Sequence, residues 1–277
     1  YIDNVGRISE IISSTDSVAG DDLYLSIDAD LQKATYLALQ NEIAAIVYSN
    51  IKSGEIPIND VYTALIGNSV INTEHFSKAK ASDTEKNVLS VFKSRQKTTL
   101  GKIKQELTSS PEALNTMSDE VLDEFTYIIS MLKDDQVLLK NEIDTSDSVY
   151  QKWKNQKISP KEYLSYCITQ HWIDISQLNV DEKYADSTEV YDALCKYILK
   201  NIKTDTEFSK IIYQYMITRG EISPRQLCLI LFDQGVLDYD DATVNKLKNG
   251  SLSPRDFLMK KIYNIEITPA QLALEPC

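Results

Sequence analysis

The chain is 277 residues long, 43% hydrophobic and 25% charged, enough to bury one or two ordinary cores and too apolar for a disordered tail. Its net charge of −12 argues against nucleic acid as a partner, because phosphate binding needs a basic face. No apolar run approaches the roughly 18 residues of a membrane span. Four solitary cysteines, Cys167, Cys195, Cys228 and Cys277, lack the C-x-x-C spacing of a zinc site.

The first predicted element is a strand, since Leu23, Leu25 and Ile27 alternate with Tyr24 and Ser26 at period two. Asp28 is placed to end it and to cap the helix that follows. The whole stretch Asp21–Gln32, DDLYLSIDADLQ, resembles the opening of the transpeptidase domain in class B penicillin-binding proteins, where the pattern is D-V-x-L-T-I-D-x-x-L-Q. Asp22, Leu23, Leu25, Ile27, Asp28, Leu31 and Gln32 match, and Ser26 replaces the usual Thr. Tyr1–Ile12, YIDNVGRISEII, resembles the preceding strand of that family. Ile267–Cys277, ITPAQLALEPC, resembles the return into the transpeptidase fold in its anaerobic Gram-positive members.

The resemblance implies a parent that is a serine D,D-transpeptidase cross-linking peptidoglycan stem peptides, on the extracytoplasmic face of a bacterial membrane and anchored by a helix outside this chain. It also implies three motifs in order, Ser-x-x-Lys, Ser-x-Asn and Lys-Thr/Ser-Gly. Ser-x-Asn is missing. Ser77–Lys80 and Ser94–Lys97 match the first pattern in isolation, and Lys52-Ser53-Gly54 matches the third but precedes them. Both Ser/Lys pairs lie in charged sequence that reads as solvated helix, unsuited to a lysine with a lowered pKa. This segment is therefore expected to carry no catalytic site and to hold no cofactor or metal.

Between the two ends the sequence predicts a helical body. Asp30 to about Ser49 forms a helix packed through Leu31, Ala34, Ala38, Ala45 and Ile46. Ser82 to about Lys97 is another. Ser118 to about Ile143 is the longest, capped by Ser118, with Val121, Leu122, Phe125, Ile128, Ile129, Leu132 and Leu139 on its apolar face. Ser187–Lys200 and Thr204–Thr218 follow as a pair, the second opened by a Thr204-x-x-Glu207 capping box. A phrase recurs at Ile158-Ser159-Pro160, Ile222-Ser223-Pro224, Leu252-Ser253-Pro254 and Ile267-Thr268-Pro269, with Ser110-Pro111 as a shorter version. Ser or Thr caps the helix, and Pro takes the first helical position, where its missing N–H costs nothing.

Single-residue candidates for chemistry are few. His75 and His171 have no second His or Cys at ligand spacing, and His171 beside Trp172 reads as a partly packed helix-end residue. Asp238, Asp240 and Asp241 lack the Gly and distal Glu of a calcium loop and read as helix capping. Cys167, Cys195 and Cys228 fall in apolar runs and read as buried thiols. Tyr163 with Tyr166, Tyr191 with Tyr197 and Tyr213 with Tyr215 either line a face that binds an extended polymer such as glycan, or another protein, or pack in the core with their hydroxyls at its rim.

The expectation is a mainly α, irregular array of about ten helices with one or two short β-strands at the N-terminal end. Residues 1–32 would open the transpeptidase-type domain, 33–266 form a helical insertion, and 267–277 return toward the transpeptidase core. Such a segment would act as spacer or docking module. Its partners would be the rest of the transpeptidase domain and cell-division or elongation proteins, without direct insertion into the membrane. The alternative is an independent helical scaffold whose strand motif matches by accident.

Overall fold

A computed structural model of the protein describes residues 28–109, 112–180 and 185–274. The expected strand and the run before it, Ser110-Pro111 and Cys277 lie outside the described residues. The chain divides into two compact units, Tyr1–Leu39 and Gln40–Cys277. Among the described residues the fold is mainly α, with eleven α-helices, four 3-10 turns and no strand beyond an isolated antiparallel bridge between Leu138 and Ile173.

Helix α1 (Ala29–Ser53) begins in the first unit. Asp28 caps it as expected, its Oδ1 accepting from the N–H groups of Asp30 (2.9 Å) and Leu31 (3.1 Å). The packed face is not the expected one. Leu31, Ala34, Ala38 and Ile46 are exposed and Ala45 is half-buried, whereas Ala44, Val47 and Ile51 are buried. Leu31, Tyr36, Leu37 and Leu39 spread apolar groups over more than one side of the helix, so periodicity alone selected no face.

The second unit continues through α2 (Ile58–Gly67), α3 (Asp83–Thr108), α4 (Asp119–Asp134), α5 (Ser148–Lys154), α6 (Pro160–Thr169), α7 (Ser187–Ile202), α8 (Thr206–Thr218), α9 (Pro224–Asp233), α10 (Asp241–Asn249) and α11 (Pro254–Tyr263). Helix α3 is central, packing against α6, α7, α8 and α9. It buries Val88, Phe92, Ile103 and Leu107, each worth about 1.5–3 kcal/mol relative to exposure. Phe92 stacks on Tyr213 of α8 at 4.2 Å between ring centroids, and Phe76 meets the same ring edge-on at 5.9 Å. Helices α2 and α8 pack against each other, and at Gly67 the Gln214 amide occupies the space beside the backbone, 2.5 Å from where a Cβ would lie.

The recurrent Ser-Pro phrase is part of a more general helix junction. Ser159, Ser223 and Ser253 cap α6, α9 and α11 with Pro in the first turn, as predicted. The fourth copy opens only a single 3-10 turn, Ala270–Leu272, where the Thr268 hydroxyl accepts from the Gln271 N–H at 3.2 Å. Before each cap the chain passes through one left-handed residue. Before Ser223, Ser253 and Thr268 the apolar residue two positions on then donates its N–H to the carbonyl six residues back: Ile222 to Met216, Leu252 to Lys246 and Ile267 to Lys261. Ile71 to Leu65, Leu138 to Leu132 and Leu237 to Leu231 repeat the geometry where no Ser-Pro follows.

Three helix expectations need correction, the first being α3, which Ser82 caps as a helix start but which runs past the expected end near Lys97 to Thr108. Helix α4 stops at Asp134 instead of running to Ile143, and at 16 residues it is shorter than α3 with 26. Gln136 is left-handed (φ 59°), which turns Val137 and Leu138 into the core. Ser118 flanks α4, but its side chain makes no cap hydrogen bond. Helix α8 is capped by Asp205, whose carboxylate accepts from the Phe208 N–H at 2.7 Å, so Thr204 and Glu207 form no capping box. Asp lies one residue nearer the helix and offers the stronger acceptor.

Candidate functional site

The described residues hold two clusters of buried charge. The first joins α3, α4 and the end of α8. Glu120 sits in the first turn of α4 and takes both carboxylate oxygens to Arg95 Nη2 of α3, at 2.7 and 2.8 Å. Arg219, the residue closing α8, reaches the same carboxylate at 2.5 Å, and Glu221 lies 3.7 Å from Arg95 Nη1. One turn further along α4, Glu124 is 2% exposed, and its Oε1 has no hydrogen-bond partner among the described residues. Burial, then repulsion from Glu120, pushes the Glu124 carboxyl up to about 8, against the pull of Arg95, Lys102 and Arg219. The group holds its proton at neutral pH.

The second cluster surrounds Glu85 in the first turn of α3. Its fully buried carboxylate accepts from the Ser82 N–H at 2.7 Å and Gln234 Nε2 at 2.8 Å, and meets His75 Nδ1 at 2.7 Å. Burial opposes its charge, but the contacts with Gln234, Ser82 and His75 outweigh that and hold it below the ordinary carboxylate range. Gln234 also ties Asn72, whose N–H it accepts at 2.8 Å and whose carbonyl it donates to at 3.0 Å. A Glu–His pair with a nearby hydroxyl invites comparison with a nucleophile-activating triad. The chemistry is not assembled, because the Ser82 hydroxyl donates to Asp233 at 2.6 Å rather than to His75. Glu124 likewise has no nucleophile: no hydroxyl or thiol among the described residues hydrogen-bonds to it or to Glu120.

The residues singled out from sequence are scattered. Ser77 closes the 3-10 turn Thr73–Ser77, donating to the Glu74 carbonyl at 2.9 Å, and it and Lys80 are exposed. Ser94 and Lys97 are exposed on α3, as are Ser90 and Lys93, a further Ser-x-x-Lys match that the sequence reading passed over. Lys52 and Ser53 end α1, and Gly54 (φ 90°) turns the chain out of it. His171 is exposed and left-handed just beyond α6, a correction to the packed position expected, while Trp172 beside it is buried. Asp240 caps α10, accepting from Ala242 and Thr243 N–H groups at 3.3 and 3.2 Å. Cys167, Cys195 and Cys228 are buried free thiols.

The tyrosines serve packing. Tyr163 stacks on Trp153 at 4.5 Å, and Tyr191 donates to the Leu107 carbonyl at 2.7 Å. Around the rim, Tyr166 donates to Asp147, Tyr197 to Asp135, Tyr215 to Asp123 and Tyr127 to Asp205, at 2.8, 3.0, 2.6 and 2.7 Å. Each such bond joins separate segments through an apolar ring and a charged acceptor. No family model, curated protein or solved structure matches the chain.

Proposed function

We propose that this chain is a non-catalytic segment of a penicillin-binding peptidoglycan transpeptidase, in which the helical body is an insertion acting as spacer or docking module. The observation that carries the reading is the start of α1. Leu31, Tyr36, Leu37 and Leu39 are 66%, 61%, 49% and 58% exposed, an apolar surface that a helix closing its own core would cover. These residues directly follow the DDLYLSID stretch that resembles the transpeptidase opening, and further protein of that domain would supply the cover.

The test is the reading frame on both sides of the segment, followed by the protein it encodes. A frame continuing into Ser-x-x-Lys, Ser-x-Asn and Lys-Thr/Ser-Gly in order, with a product that is acylated by a fluorescent penicillin, is the expected result. Removing residues 40–266 from that product with unchanged acylation and unchanged partner recovery would sink the docking role. A second reading, an independent helical scaffold, is favoured by the closed core of the second unit, and a frame lacking the three motifs would select it.

A further inference from the structure

We infer that the groove between α3 and the end of α7 is a docking site for an acidic, Leu-bearing peptide segment, a partner chemistry that deepens the docking reading above. Lys93, Lys97 and Lys104 stand at i, i+4 and i+11 of α3, so they align in one stripe, with Leu100 at i+7 between them. Lys203, the C-cap of α7, faces them across a cavity of about 510 Å³. Leu100 and Leu199, both half-buried, and Gly101 line the same cavity.

Three features fix the occupant. All four lysines are exposed, none forms an ion pair among the described residues, and no carboxylate lines the groove. On a chain of net charge −12 this gathers four unpaired cations around one groove, which steers and orients an anionic partner. The apolar residues sit between cationic walls, so a segment presenting Leu on one side and Glu or Asp beside it satisfies both. A duplex nucleic acid would extend beyond the groove onto the acidic surface and be repelled. An anionic membrane surface would extend past the four lysines onto a chain of net charge −12 and be repelled.

The experiment titrates the full chain into a fluorescein-labelled peptide of about fourteen residues with Leu at i, i+3 and i+7 and Glu elsewhere, read by anisotropy. Binding is expected at low salt and weakens as salt is raised. Replacing Lys93, Lys97, Lys104 and Lys203 with Gln lowers affinity at least tenfold without changing the thermal melt, and a peptide with Ser for Leu also binds more weakly. Equal binding by the Gln variant overturns the site. Absence of peptide binding alongside lysine-dependent binding to anionic phospholipid vesicles overturns the peptide in favour of a membrane surface. Because this titration uses the chain alone and the transpeptidase reading is tested on the extended gene product, either can fail without the other.

Discussion

Glu124 offers the sharpest test of the physical account. Its carboxyl, 2% exposed, is raised from 4.5 to about 8 by burial and by Glu120. The unfolded chain releases this proton near 4.5, whereas the folded chain keeps it to about 8, so folding at intermediate pH requires proton uptake. Stability from this residue is therefore fully present below pH 4.5 and is lost as pH rises toward 8, after which the loss is constant. At pH 7 the 2.5 pH units above 4.5 correspond to about 3 kcal/mol. Glu124→Gln keeps a neutral group of the same shape at every pH and avoids that loss. Urea unfolding followed by far-UV circular dichroism at pH 4.5, 7 and 8.5 gives the difference between the two proteins, in which titrating groups away from Glu124 cancel. The variant should gain about 3 kcal/mol on the parent protein between pH 4.5 and 7, and more by pH 8.5. A difference that stays flat with pH would refute the protonated, buried carboxyl.

Further outcomes follow from the junctions and thiols. Ser223→Ala removes the capping box of α9, where the hydroxyl accepts from the Gln226 N–H at 3.3 Å, and should cost about 1 kcal/mol, visible as a fall of a few degrees in Tm. Gln136→Gly should raise stability by up to about 1 kcal/mol in urea unfolding, because residue 136 is exposed and left-handed, a conformation costly for any side chain. Cys167, Cys195 and Cys228 should resist iodoacetamide at pH 8 until denaturant is added. Burial pushes their thiols up to about 12, 11 and 12, leaving almost no thiolate.

What the sequence revealed and concealed follows from how each signal is written. The mainly α class was legible because capping residues and apolar periodicity agree along most of the chain. Ser159, Ser223 and Ser253 announced their helices through Pro at the next position. The same junction at Ser69–Ile71 and Gln136–Leu138 was concealed, because the left-handed residue there is not Gly and no Ser-Pro follows. That is why α4 was drawn too long. The buried clusters were harder still. Ser82-x-x-Glu85 is a readable capping box, but nothing local says that Glu85 also meets His75 and Gln234, the second of these 149 residues away. Glu120 and Glu124 stand in the acidic opening of α4, DEVLDE, which looks like ordinary solvated helix until α3 and α8 cover it.

A buried ion cluster without a nucleophile still needs a reason, since well-packed apolar residues are often as stable. Its position on α3 supplies one. Arg95 lies about 200° around the helix from Lys93, so holding Arg95 against Glu120 turns the lysine stripe toward solvent. The cluster would then set the rotation of α3 rather than add to stability. Glu120→Leu leaves Arg95, whose side chain is 15% exposed, without its carboxylate and should cost about 3–5 kcal/mol. Arg95→Met, Glu120→Leu and Arg219→Met together remove the buried carboxylate and both guanidinium groups on it, leaving only the more exposed Glu221 without its partner, and should restore most of that loss in urea unfolding. If the single variant were as stable as the parent protein, the cluster would be a surface ornament and the rotation of α3 would rest on Phe92, Ile103 and Leu107 alone. If the triple variant regained stability yet bound the acidic peptide more weakly, with all four groove lysines intact, the ion cluster would be what aims the groove.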